Sequence, residues 1–159
     1  MRSLTQILLF VIFMAVSLVY APEVRAQESE IIKVTPEEVQ WSPAPPFLPK
    51  GAQFAVIKGD PSKAGPFTIR LKFPPNYKIP AHKHPSFEHI TVISGTLHFG
   101  MGDHLEQTNS VNLPAGSFAY GPEEKYHFAY TTEDETVVQI QSQGPFGIEY
   151  FNLQEDPRK

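Results

Sequence analysis

The sequence predicts an all-β protein, and three observations carry that expectation. The 159 residues include 16 prolines and 10 glycines, which punctuate the chain at short intervals. Short runs rich in valine, isoleucine, threonine and aromatic residues lie between them, with 12 phenylalanines overall. No strong helical period appears beyond the N-terminal segment.

The first 26 residues read as a targeting segment. Arg2 gives a positive start, residues 7–19 are apolar except for Ser17, and Val24-Arg25-Ala26 offers compact residues at a cleavage site. The apolar run is shorter than the roughly 20 residues of a spanning helix. The expectation is a secretory signal peptide removed after Ala26, giving a periplasmic or secreted protein with no membrane anchor after cleavage.

Residues 31–34 are expected to form a short strand. Thr35-Pro36-Glu37-Glu38 has the form of a capping box with proline at the first helical position, and predicts one short helical turn. The segment 41–50, WSPAPPFLPK, holds four prolines and cannot be a central strand. It is expected to run extended over the surface, with Trp41 and Phe47 as a cover. Strands follow at 53–58 and 67–73, parted by the turns Gly59-Asp60-Pro61 and Gly65-Pro66. Asn76, after Pro74-Pro75, suits a positive φ.

Residues 90–94 and 96–99 are expected to form a hairpin around Gly95. A polar loop then leads to short strands at 110–113 and 117–120, a turn at 122–125, and the strand His127-Phe128-Ala129-Tyr130. Strands at 136–141 and 147–152 close the pattern, and the tail from Gln154 is expected to be loose. The domain reading is therefore 1–26 signal peptide, 27–50 N-terminal arm, 51–153 β-barrel domain and 154–159 C-terminal tail.

Composition removes several function classes. The formal net charge is -4 and no basic block occurs, so nucleic acid is not expected as a partner. The chain has no cysteine, which excludes disulfides, thiolate metal sites and thiol nucleophiles.

What remains is a histidine–carboxylate cluster. His82, His84 and Glu88 are spaced at even intervals, so a continuous strand would point all three the same way. Two imidazoles and a carboxylate suit a divalent cation of borderline hardness. On the same parity, Ile90 and Val92 are expected to line a pocket, and His89 to face away. His98 and His104 are read as surface or supporting groups. Tyr77, Tyr126 and Gln139 are polar residues available to orient a ligand.

His82-x-His84-x3-Glu88-x6-Gly95 resembles the first motif of the cupin superfamily, with Asn76 where that motif opens on glycine. Gly116-x5-Pro122-x-Glu124-x2-His127 resembles the second, with Glu124 in place of a usual glycine and Thr131 in place of a usual asparagine. The resemblance spans residues 76–131. It implies a small cupin-type jelly-roll β-barrel enclosing a mononuclear centre, with His82, His84, Glu88 and His127 as metal ligands. One strand would supply three ligands and a second strand His127, with Ala129 and Thr131 beside it facing inward. His127 is then expected within about 8 Å of the other two imidazoles, since metal–nitrogen bonds are about 2 Å.

The cofactor implied is one divalent transition metal ion: iron, manganese, zinc, copper or nickel. The activity implied is that of a small dioxygenase-like or isomerase-like metalloenzyme with a small-molecule ligand. The alternative is a binding or sensing module, because one fold hosts many functions. A homodimer is the default assembly that the resemblance implies.

Overall fold

Alternation of apolar and polar residues builds two facing antiparallel sheets. The protein is represented by a computed structural model that describes residues 31–159. The expected signal peptide, residues 1–26, lies outside the described residues. Val34–Lys159 form one unit.

Eleven strands are described: β1 (Ser42–Pro43), β2 (Gln53–Lys58), β3 (Gly65–Phe73), β4 (Lys78–Lys83), β5 (Glu88–Ser94), β6 (Thr96–Met101), β7 (Ser110–Pro114), β8 (Phe118–Gly121), β9 (His127–Tyr130), β10 (Thr136–Gly144) and β11 (Glu149–Tyr150). One sheet has the order β1-β2-β3-β10-β5-β8, and the other β11-β4-β9-β6-β7. Every pairing is antiparallel. This is the all-β jelly-roll arrangement that the sequence predicts.

The period of two is cleanest in β3, where Phe67, Ile69, Leu71 and Phe73 are buried and the residues between them are partly exposed. Its partner β10 buries Thr136, Val138, Ile140 and Ser142 in the same manner. Ile79, Leu97, Phe99 and Ala129 from the second sheet meet these residues in one core. Two walls with one apolar face each bury those faces against one another.

The expected helical turn exists as a 3-10 turn at Pro36–Glu38, where the Thr35 backbone N–H donates to Glu38 Oε2 at 2.8 Å. The proline-rich arm contributes only the two-residue edge strand β1. Two phenols fasten that arm to the barrel. Tyr150 Oη donates to the Phe47 carbonyl at 2.8 Å, and Tyr77 Oη donates to the Pro49 carbonyl.

Three expectations are corrected. Residues 31–34 form no strand. The strands on either side of Gly95 are not a hairpin: β5 lies in one sheet and β6 in the other. Gly95, at φ 73°, is the corner where the chain changes sheets, and a Cβ there would lie 2.4 Å from the Glu135 carbonyl oxygen. A local turn signal does not reveal which strands will pair. The C-terminal tail is held rather than loose. Asp156 is buried and accepts from Arg158 Nε and Nη2 at 2.7 Å each, while Arg158 Nη2 also donates to the Ile148 carbonyl at 3.3 Å.

Candidate metal centre

His82, His84, Glu88 and His127 meet inside the barrel, and all four are buried. The ring of His127 lies 4.4 Å from that of His82 and 5.2 Å from that of His84, centroid to centroid. One ring nitrogen from each histidine falls within 4.8 Å of the other two. That separation is on the scale of twice a metal–nitrogen bond of about 2.0–2.1 Å. Glu88 places Oε1 3.4 Å from His84 Nε2 and Oε2 3.2 Å from His127 Nε2.

The route to this meeting differs from the parity argument. The chain from Pro80 to Gly95 is not one strand. β4 and β5 lie in opposite sheets, and residues 84–87 form the bend between them. His82 faces inward because of a bulge. Ile79 pairs with Ala129 and His82 with His127, so β4 spends one residue more than β9 over that interval. Pro80 lies within the bulge, a place where its missing N–H does no harm. His84 sits in the bend, and Glu88 opens β5. The four groups therefore come from two sheets and a corner, not from one strand plus a second.

Each imidazole is aimed by a main-chain carbonyl. Nδ1 of His82 contacts the Pro80 oxygen at 2.7 Å, Nδ1 of His84 the Gly147 oxygen at 2.5 Å, and Nδ1 of His127 the Lys125 oxygen at 3.0 Å. A carbonyl only accepts, so each Nδ1 carries the proton and donates it. In the neutral ring, Nε2 is then a bare lone pair. Burial pushes the His82 and His84 pKa values down, with the neighbouring histidines adding to the effect on His82, so both rings stay neutral. Burial acts to raise the Glu88 pKa, but the histidines around it outweigh that and lower it to about 2.

The donor set fits a divalent cation. His127 Nε2 is buried without a hydrogen-bond partner; with the proton on Nδ1 it faces Glu88 Oε2 at 3.2 Å as one acceptor facing another. Converging lone pairs and an ionised carboxylate in an apolar enclosure are costly unless something positive lies between them. Carbonyl-anchored imidazoles are the usual support around metal ligands.

Residues 29–147 match the family described as the ChrR cupin-like domain. This protein belongs to that cupin family. No curated protein matches the chain.

Solved structures show how the cupin relates to others in fold. The polyketide cyclase RemF from Streptomyces resistomycificus superposes with a TM-score of 0.68 at 17% identity, over 80% of this chain and 90% of that one. An RmlC-like cupin from Shewanella frigidimarina gives 0.55 at 14%, over 72% and 91%. The DMSP lyase DddQ from Ruegeria pomeroyi gives 0.57 at 16%, over 72% of this chain and 61% of that one.

Two departures from the motif glycines have a backbone consequence. Asn76 at φ 59° and Glu124 at φ 57° both adopt the left-handed conformation. Each keeps the turn that glycine would make, at a cost of about 1–2 kcal/mol for a residue with a Cβ. Glu124 also donates its N–H to the His84 carbonyl at 2.9 Å and reaches Lys83 Nζ at 2.6 Å, so the substituted turn still buttresses the His84 corner.

The centre opens into a cavity of about 300 Å³. Ile90 and Ala129 line it as expected, whereas Val92 and Thr131 are buried outside it. Thr131 instead donates to the Pro74 carbonyl at 2.7 Å and accepts from the Tyr77 N–H at 3.0 Å. Phe47 contributes to the lining, but Trp41 does not; Trp41 lies under Lys72 Nζ at 4.6 Å.

Tyr77, Tyr126 and Gln139 do not line the cavity either. Their polar atoms engage Pro49, Glu149 and Arg70 respectively. Sequence reasoning missed Phe146, whose ring stacks on His84 at 4.4 Å and 17°. It also missed the Gly147 carbonyl, because a main-chain acceptor has no side-chain signature.

Proposed function

We propose that this cupin holds one divalent transition metal ion through His82, His84, Glu88 and His127. In this reading it acts as a small metalloenzyme, dioxygenase-like or isomerase-like, on a small oxygenated organic molecule. One observation carries the proposal: the Nε2 atoms of His84 and His127 face an ionised carboxylate at the end of an apolar cavity, with His82 beside them. A bound ion would supply Lewis-acid polarisation and a template for an oxygen donor. Glu88, ionised and lining the cavity, would supply the anionic oxygen among the ligands. Iron, manganese, zinc, copper and nickel all accept this donor set, and a chain that loads after export would favour copper or zinc by affinity order.

The test is metal analysis of protein purified from its native compartment, followed by turnover assays before and after chelation. About one ion per chain and chelation-sensitive turnover of a small enol or keto acid are expected. Absence of any bound transition metal under metal-replete growth defeats the proposal. The non-catalytic alternative draws on a specific feature: among the described residues, no acid or base other than the four clustered groups lines the cavity. Stoichiometric metal with tight ligand binding but no turnover would favour it. Export is part of the same proposal, and a mature N-terminus at Gln27 is the expected result of protein sequencing.

A further inference from the structure

We infer that the cavity selects a molecule with one oxygen-donor head and an otherwise apolar body. The inference deepens the metal-centre reading and rests on it for the head group alone. Of the residues lining the cavity, the polar ones are the four clustered groups and Ser62. Ser62 is exposed, and its hydroxyl already donates to Asp60 Oδ1 at 2.6 Å. Leu71, Phe73, Leu97, Val138 and Ile140 make up much of the remaining wall, from both sheets. Main-chain groups there are committed to the strand ladders. Pro45, Phe47, Phe54, Pro61 and Phe146, all partly exposed, also line the cavity and extend its apolar surface towards solvent.

The chemistry of a matching ligand follows. A head with one or two oxygens meets the histidine–carboxylate cluster. Every additional hydroxyl, amine or carboxylate would leave water and find no partner, which lowers affinity about tenfold or more per group. Among the described residues no lysine or arginine lines the cavity, so a second carboxylate finds no counter-ion there. Apolar atoms gain in proportion to the area they bury. Polyols, dicarboxylates and zwitterions are excluded. The cavity volume is at the low end of the roughly 300–1,000 Å³ of small-molecule sites, which suits a body about the size of one ring.

Two measurements test the inference on the mature chain. Calorimetry on zinc-loaded protein compares benzoate with malonate, which share the carboxylate head. Benzoate is expected to bind at least about tenfold more tightly; equal or tighter malonate binding overturns the inference. Thermal unfolding of chelator-treated protein compares toluene with erythritol at equal millimolar concentration. Toluene is expected to raise the midpoint and erythritol to leave it unchanged; the reverse overturns the inference. A chain that retains no metal but responds to toluene removes the metal-centre reading and leaves the ligand class standing. A chain that retains metal but prefers malonate does the opposite.

Discussion

Six histidines divide into two groups of three. His82, His84 and His127 are buried, and each gives its Nδ1 proton to a main-chain carbonyl. The other three lie apart from the centre and are held differently. His104 is exposed, with Nδ1 2.6 Å from Asp103 Oδ1 and Nε2 3.7 Å from Glu106 Oε2. His89 sits on the outer face of β5 among Phe87, Phe118 and Tyr120. His98 stacks on Tyr130 at 4.4 Å and 13°. Residue type alone does not distinguish these groups. A carbonyl behind the ring does, because it fixes the tautomer and aims a lone pair at one point.

The largest expected effect separates the groups directly. His84→Ala is expected to reduce bound metal to less than about a tenth of an ion per chain, because one of the four proposed ligands is lost. His89→Ala is expected to leave the metal content unchanged. Elemental analysis of the two variants side by side checks the contrast, and equal loss in both would break it.

Acidity sharpens the comparison next. In metal-free protein the folded state resists protonating His82 and His84, whereas the unfolded chain takes up those protons below about pH 6.5. The unfolded state then binds more protons, so stability falls as pH drops from about 6.5. Glu88 adds a second loss, beginning near its unfolded value of 4.5 and running down to about 2. Urea unfolding at a series of pH values is expected to give this slope, and a flatter slope in His84→Gln.

A smaller effect concerns the ring behind His84. Phe146→Ala removes a partly exposed aromatic that stacks on His84 and meets Phe67 at 5.2 Å. It is expected to cost about 2 kcal/mol of stability, below the 3–5 kcal/mol of a fully buried phenylalanine. Metal affinity should fall about tenfold as His84 loses its orientation. Denaturant unfolding and competition with a chelator measure the two terms separately.

The smallest effect is expected at His98. Its Nδ1 is buried without a hydrogen-bond partner, and such a group costs about 1–3 kcal/mol. His98→Phe keeps a flat ring against Tyr130 and removes the orphan. A gain of up to about 1 kcal/mol is expected in urea unfolding, with metal content unchanged.

The strands were legible because alternation is local. β2 falls at Gln53–Lys58 and β9 at His127–Tyr130, as the residues alone predict. Pairing was less legible because it is not local: Gly95 reads as a tight turn whether the strands beside it join or part. At the centre, the four side chains that the motif resemblance names do converge, but not by the route that even spacing implies. Even spacing suggested a continuous strand, but a bend at 84–87 and an extra residue in β4 do the work. Phe146 could not be singled out among 12 phenylalanines, since its role depends on a fold that brings residue 146 to residue 84.

The bulge before His82 also bears on which length changes this chain can tolerate. Removing one residue between Ile79 and His82 would leave the two residues two positions apart, as Ala129 and His127 are, so regular pleating would keep that imidazole on the inner face. A variant of that kind would lose the bulge and still carry all four interior donors. When relatives are aligned, a one-residue gap at this point is therefore compatible with the same donor set.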